Sequence, residues 1–167
     1  MAFRVGKFEK VRCDQFILEC GKIGISAPQA ELMYDELVIP TRATVGSAGY
    51  DFHIPFGVVL APGQTVTFPT GIRCWIDPDW VLLMVPRSSL GFNYKFQLDN
   101  TIGVIDSDYF YSDNEGQISI KMTNNSDKEL LLYAGDRVAQ ALFVPYGITL
   151  DDEVSAVRNG GYGSTGK

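Results

Sequence analysis

The chain has 167 residues, 46% of them hydrophobic, enough apolar material for one ordinary core and too little for two comfortable ones. Fourteen basic residues against twenty acidic ones give a net charge of −6, with no Lys/Arg run dense enough to track a nucleic-acid backbone, so DNA and RNA are excluded as expected partners. The longest apolar runs, such as 80–86 and 139–145, stop well short of the roughly 20 residues of a membrane helix, and no secretion signal opens the chain; a single cytoplasmic domain over 1–167, with no membrane partner, is expected.

In chain order, helical signal is confined to the first third. Asp14 is placed to cap a helix over Gln15–Cys20, and Ser26, followed by Pro28, to open a second through Leu37. Cys13, Cys20 and Cys74 are odd in number and lack paired CxxC spacing, so reduced thiols are expected and neither a disulfide framework nor a zinc site is supported. From about residue 50, short apolar runs separated by turn signals predict an all-β sandwich or barrel. Val66 and Phe68 alternate with threonines, and Ile118, Ile120 and Met122 alternate with Ser119 and Lys121, the period of two that one-sided burial requires. Turns are predicted at 61–64, 77–79, 124–127 and 134–136. His53, the only histidine, has no neighbouring nucleophile motif and reads as structural or exposed.

Three segments could carry chemistry. Pro86-Arg87-Ser88-Ser89-Leu90 sets an arginine and two hydroxyls at the end of the apolar run 80–85, as a turn or as a binding motif. In the segment 100–109, Ile102, Val104 and Asp106 share a face if the backbone is extended, so Asp106 is expected to point inward with the apolar residues. It is then a salt-bridge or cap residue, or a general base that positions water. The tail 159–167 is a frayed terminus, or an arm whose glycines let backbone N–H groups converge on phosphates while Arg158, Ser164, Thr165 and Lys167 add donors and Tyr162 a stacking ring. The fit of Gly161–Lys167 to GxxxxGK is rejected as a Walker loop, because no helix can follow it.

Together, five segments in fixed order resemble the motifs of the trimeric dUTPase family, over about seven-tenths of the chain. They are Ala48-Gly49-Tyr50-Asp51-Phe52, Pro86-Arg87-Ser88-Ser89, Gly103-Val104-Ile105-Asp106 with Tyr109, Gly135-Asp136-Arg137-Val138-Ala139-Gln140, and Arg158 with Gly160–Gly166. The resemblance implies a jelly-roll (β-clip) subunit in a homotrimer with shared active sites: one subunit supplies the third motif, a second the first, second and fourth, and the third its C-terminal arm, here 158–167. It implies a dUTP diphosphatase releasing dUMP and pyrophosphate, which supports dTTP supply and keeps uracil out of DNA.

By the same carry-over, Asn100 and the backbone of Gly103, Val104 and Ile105 bind uracil, and Tyr109 packs on the sugar where a 2′-hydroxyl would clash. Asp106 activates water for attack on the α-phosphorus. Ser88 steadies the bridging oxygen, Arg87 helps hold the closed arm, and Gln140, Arg158, Tyr162, Gly163, Ser164 and Thr165 complete the binding of the nucleotide. Mg2+ rides mainly on the triphosphate, with Asp51 reaching it through water. Three departures stand out: an insertion at 110–115, a fifth motif one residue short between Arg158 and Tyr162, and an N-terminal insertion at about 9–35. The competing readings are a dCTP deaminase of the same fold, alone or as one activity of a bifunctional enzyme, and a dUTPase-like regulatory protein whose partner the sequence does not name.

Overall fold

The computed structural model describes residues 3–156 and 158. Its strands are β1 (Gly6–Lys10), β2 (Thr41–Arg42), β3 (Tyr50–His53), β4 (Val58–Leu60), β5 (Thr65–Pro69), β6 (Ile72–Ile76), β7 (Trp80–Pro86), β8 (Phe96–Leu98), β9 (Gly103–Ile105), β10 (Ser119–Asn124), β11 (Leu130–Leu132) and β12 (Arg137–Pro145). The strands pair antiparallel in four sheets, ordered β2-β3-β12-β7-β9, β5-β10-β8, β1-β6 and β4-β11. The protein is thus mostly β, as the alternation from residue 50 predicts.

That alternation decides which side chains are inside. Val66 and Phe68 of β5 and Ile120 and Met122 of β10 are buried, while Thr65, Thr67 and Lys121 face out. They meet Phe52, Leu82, Met84 and Ala141 from the five-stranded sheet in one continuous core. Truncating a fully buried ring there, such as Phe68 or Phe96, is expected to cost about 3–5 kcal/mol. Asn124, predicted as a turn residue, is also a buried staple: its Nδ2 donates to the carbonyls of Leu60 and Lys128 (2.9 Å each) and its Oδ1 accepts from the Ser126 N–H (3.1 Å).

Two helices, α1 (Cys13–Lys22) and α2 (Ala27–Asp35), build the N-terminal appendage around their own small core of Val11, Phe16, Cys20 and Ala30. Ser26 caps α2 as expected, its N–H and hydroxyl both donating to Gln29 Oε1 (3.3 and 2.7 Å). The appendage lies close against the β body at Gly71, whose φ of +69° and lack of Cβ admit Phe16 and Leu37. The cysteines are free, and burial pushes the Cys20 thiol up to about 11 and Cys74 up to about 12. No helix of the described residues is long and apolar enough to cross a membrane.

The structure corrects several expectations. Asp14 lies in the first turn of α1, with Arg12 at the N-cap, and α2 ends at Asp35 rather than Leu37. Residues 9–10 belong to β1, not to the helical insertion. Helix also occurs beyond the first third, in α3 (Ser88–Tyr94) and in a 3₁₀ turn at Ser107–Tyr111. Both are too short to show a 3.6-residue apolar period. Lys95, the C-cap just past α3, takes the left-handed conformation (φ 47°).

Candidate active site

A cavity of about 680 Å³ opens beside β9, lined among others by Asn100, Gly103, Val104, Ile105, Asp106 and Tyr109. Thr101, at φ 67°, turns the chain between β8 and β9, and its N–H bonds the Leu98 carbonyl (2.9 Å). Among the described residues β9 pairs only with β7, so its outward backbone N–H and C=O groups lie at a sheet edge, open to a flat ligand with alternating donors and acceptors.

Ile102, Val104 and Asp106 do lie on the same side of the chain, but that side is turned away from the core, with Val104 and Asp106 lining the cavity. Ile102 and Val104 are exposed and the Asp106 side chain is 47% exposed, whereas Gly103 is buried against Met84. An inward, desolvated Asp106 is therefore corrected to a half-exposed carboxylate at the N-cap of the 3₁₀ turn. Tyr109 is buried behind it. Its hydroxyl donates to the Gln117 carbonyl (2.7 Å) and accepts from Asn114 Nδ2 (2.9 Å), and burial raises the phenol above its ordinary range. The Arg158 guanidinium closes this side, paired with Asp106, 2.9 Å from Asp108, and 5.8 Å from the Tyr109 ring centre.

A second cluster gathers around Asp51 on β3. Its carboxylate, buried, is held by Arg87 Nε (3.2 Å) and Arg137 Nη1 (3.2 Å), from the ends of β7 and β12. Gln140 stands opposite Asp51 in the β12–β3 register, and a Cβ at Gly49 would strike its amide. Ser88 opens α3 directly after Arg87. Two arginines facing one carboxylate leave a net positive patch suited to phosphate. Direct coordination of a metal ion by a protein cage is not what they offer: each Asp51 oxygen already has a guanidinium, and no group of three His, Cys, Asp or Glu side chains among the described residues could hold a metal ion. Asp51, expected to reach magnesium through water, is here the shared partner of both guanidinium groups. Beside it, burial lowers the pKa of the His53 imidazole, and its Nδ1 has no partner among the described residues.

The two clusters do not meet within one chain. Ile105 stands opposite Leu82, so Asp106 is level with Val81, near the start of β7, whereas Arg87 and Ser88 follow its far end. From Val81 to Arg87, at roughly 3.3 Å per residue, the separation is about 20 Å. Sequence reasoning missed Arg137, which lies within the fourth motif yet drew no role, and Glu19, Lys22 and Lys121, which line the cavity. Nothing in the sequence placed α1 beside β9. Tyr162, Gly163, Ser164 and Thr165 lie outside the described residues.

The dUTPase family model matches residues 35–166, beginning at the last residue of α2 and leaving the rest of the helical appendage outside. A deoxyuridine 5′-triphosphate nucleotidohydrolase of Haemophilus ducreyi is 40% identical over 140 residues, which cover 79% of this chain and 89% of that protein. One from Lactococcus lactis subsp. lactis is 40% identical over 131 residues, covering 77% and 87%. A dUTPase crystal structure from Streptococcus mutans matches with a TM-score of 0.62 at 36% identity, over 69% of this chain and 91% of that one.

Proposed function

Because this chain belongs to the dUTPase family, we propose that it hydrolyses dUTP to dUMP and pyrophosphate at a site completed by its neighbours in a homotrimer. The observation that carries this reading is the cavity on the edge of β9, which puts open backbone groups, Asn100, a carboxylate and a tyrosine around one space. Uracil fits the β9 edge. The 5-methyl of thymine is rejected by crowding, and cytosine by leaving an exchanged donor and acceptor unpaired. Tyr109 carries the sugar, and Asp106 takes the proton of the attacking water.

Phosphate binding needs the other cluster, and the span of β7 argues that it comes from another subunit. Arg87, Gln140 and Ser88 of one chain then face Asp106 of the next, with the Ser88 hydroxyl donating to the bridging oxygen as it gains charge. The arm 158–167 brings its glycines, Tyr162 and hydroxyls over the nucleotide, on a jelly-roll subunit that forms one domain over 1–167. Magnesium enters with the substrate, as the complex of dUTP, and no step here depends on a protein cage for it.

The test is incubation with each deoxynucleoside triphosphate and magnesium, followed by product analysis. Equimolar dUMP and pyrophosphate from dUTP alone is the expected result. Ammonia from dCTP, or no turnover of dUTP, would overturn the reading.

A further inference from the structure

The two segments that the family pattern does not account for, the N-terminal helices and the 110–115 loop, are fastened to each other. The Arg12 N–H donates to Glu115 Oε2 (3.0 Å), and its guanidinium pairs with the same carboxylate. Burial alone would raise the Glu115 carboxyl, but these Arg12 contacts hold it below its ordinary range. The Val11 N–H reaches the Gly71 carbonyl (2.9 Å), tying the start of the appendage to the β body. So anchored, α1 presents Glu19, Lys22 and, just past its end, Ile23 to the same cavity that Asn100, Asp106 and Tyr109 line.

Glu19 is built in, and Lys22 is not. The Glu19 side chain is only 13% exposed and accepts from Gln15 Nε2 (3.1 Å) and Lys22 Nζ (2.6 Å), while Lys22 is 61% exposed. A bare carboxylate in this wall would repel a nucleotide carrying several negative charges. Lys22 cancels that charge and leaves its remaining N–H donors free to turn to the ligand.

We propose that α1 is a wall of the nucleotide site, in which Glu19 positions Lys22 and Lys22 presents its ammonium to the bound nucleotide. The inference rests on the reading that this cavity takes dUTP. It gives the appendage a role in substrate binding that the family pattern alone does not supply.

The test compares Michaelis constants for dUTP in full-length wild type, Lys22→Ala, Lys22→Glu and Glu19→Gln, at low and high salt. At low salt KM should rise about threefold in Lys22→Ala and about tenfold in Lys22→Glu, since charge reversal sets two carboxylates in the wall, with kcat moving much less. Both increases should shrink at about 0.5 M salt. In Glu19→Gln, where the ammonium loses its ionic anchor but the wall loses an anion, KM should change less than in Lys22→Glu. Lys7→Glu, an equal charge change on β1 away from the cavity lining, is the control and should keep the wild-type KM. A wild-type KM in Lys22→Glu at low salt, or an equal shift in Lys7→Glu, would overturn the proposal while leaving dUTP hydrolysis intact. A wild-type chain that does not turn over dUTP would instead sink the functional reading, and this inference with it.

Discussion

The Arg158 guanidinium is paired with the Asp106 carboxylate, 52 residues earlier in the same chain, and bonds Asp108 as well. That pairing engages one oxygen of Asp106, Oδ2. In productive binding Arg158 is expected to exchange Asp106 for the phosphates, which offer the same kind of charge-assisted partner. Arg158→Ala should lower kcat/KM for dUTP by about 10- to 100-fold, the equivalent of one charged hydrogen bond of about 1.5–3 kcal/mol. Steady-state kinetics with pyrophosphate detection check this, and a rise in kcat/KM would show that the arginine acts only as a latch.

Asp106→Asn keeps the shape of the side chain and removes the basic lone pair. Nucleotide binding should survive while turnover falls by about 10² to 10⁴. Wild-type turnover in the variant would reduce Asp106 to a cap of the 3₁₀ turn.

Tyr109→Ala should raise activity on UTP relative to dUTP, by opening the space that excludes a 2′-hydroxyl. The ring is buried, so the variant is also expected to lose about 3–5 kcal/mol of stability. The ratio of the two specificity constants is insensitive to the folded fraction and is the quantity to measure. An unchanged ratio would remove Tyr109 from sugar selection.

His53 gives the fold a pH dependence. Burial lowers its pKa below 6.5, with the guanidinium groups of Arg137 and Arg87 working the same way and Asp51 opposing them. Between the lowered native value and 6.5 the unfolded chain binds more protons, so stability rises with pH through that window. The contribution is complete above pH 6.5 and lost as pH falls through the window. His53→Gln should flatten the pH dependence of urea-unfolding stability just below pH 6.5 relative to wild type; an unchanged slope would show that His53 does not govern it.

Much of the β architecture was legible because one-sided burial imposes a period of two, visible at Val66 and Phe68 and again at Ile120 and Met122. The seven-residue α3 and the 3₁₀ turn were not, since neither spans enough turns to show a period. Asp106 was given the wrong surroundings: alternation reveals which residues share a side of a strand, not whether that side meets the core or a ligand. The pairing of Arg87 and Arg137 on Asp51, and the approach of α1 to β9, depend on contacts between distant segments and left no local trace.

The central claim is that Asp106 and Ser88 act on one substrate from different chains, because β7 holds them about 20 Å apart within one. Mixed refolding of Asp106→Asn with Ser88→Ala chains, each inactive or nearly so alone, tests it most directly. In hybrid trimers some sites combine an intact Asp106 from one chain with an intact Ser88 from another, so activity should reappear well above the sum of the parents. If mass measurement shows that hybrids have formed and their activity stays at the level of the parents, both residues serve the same site from the same chain, and the shared-site account is contradicted.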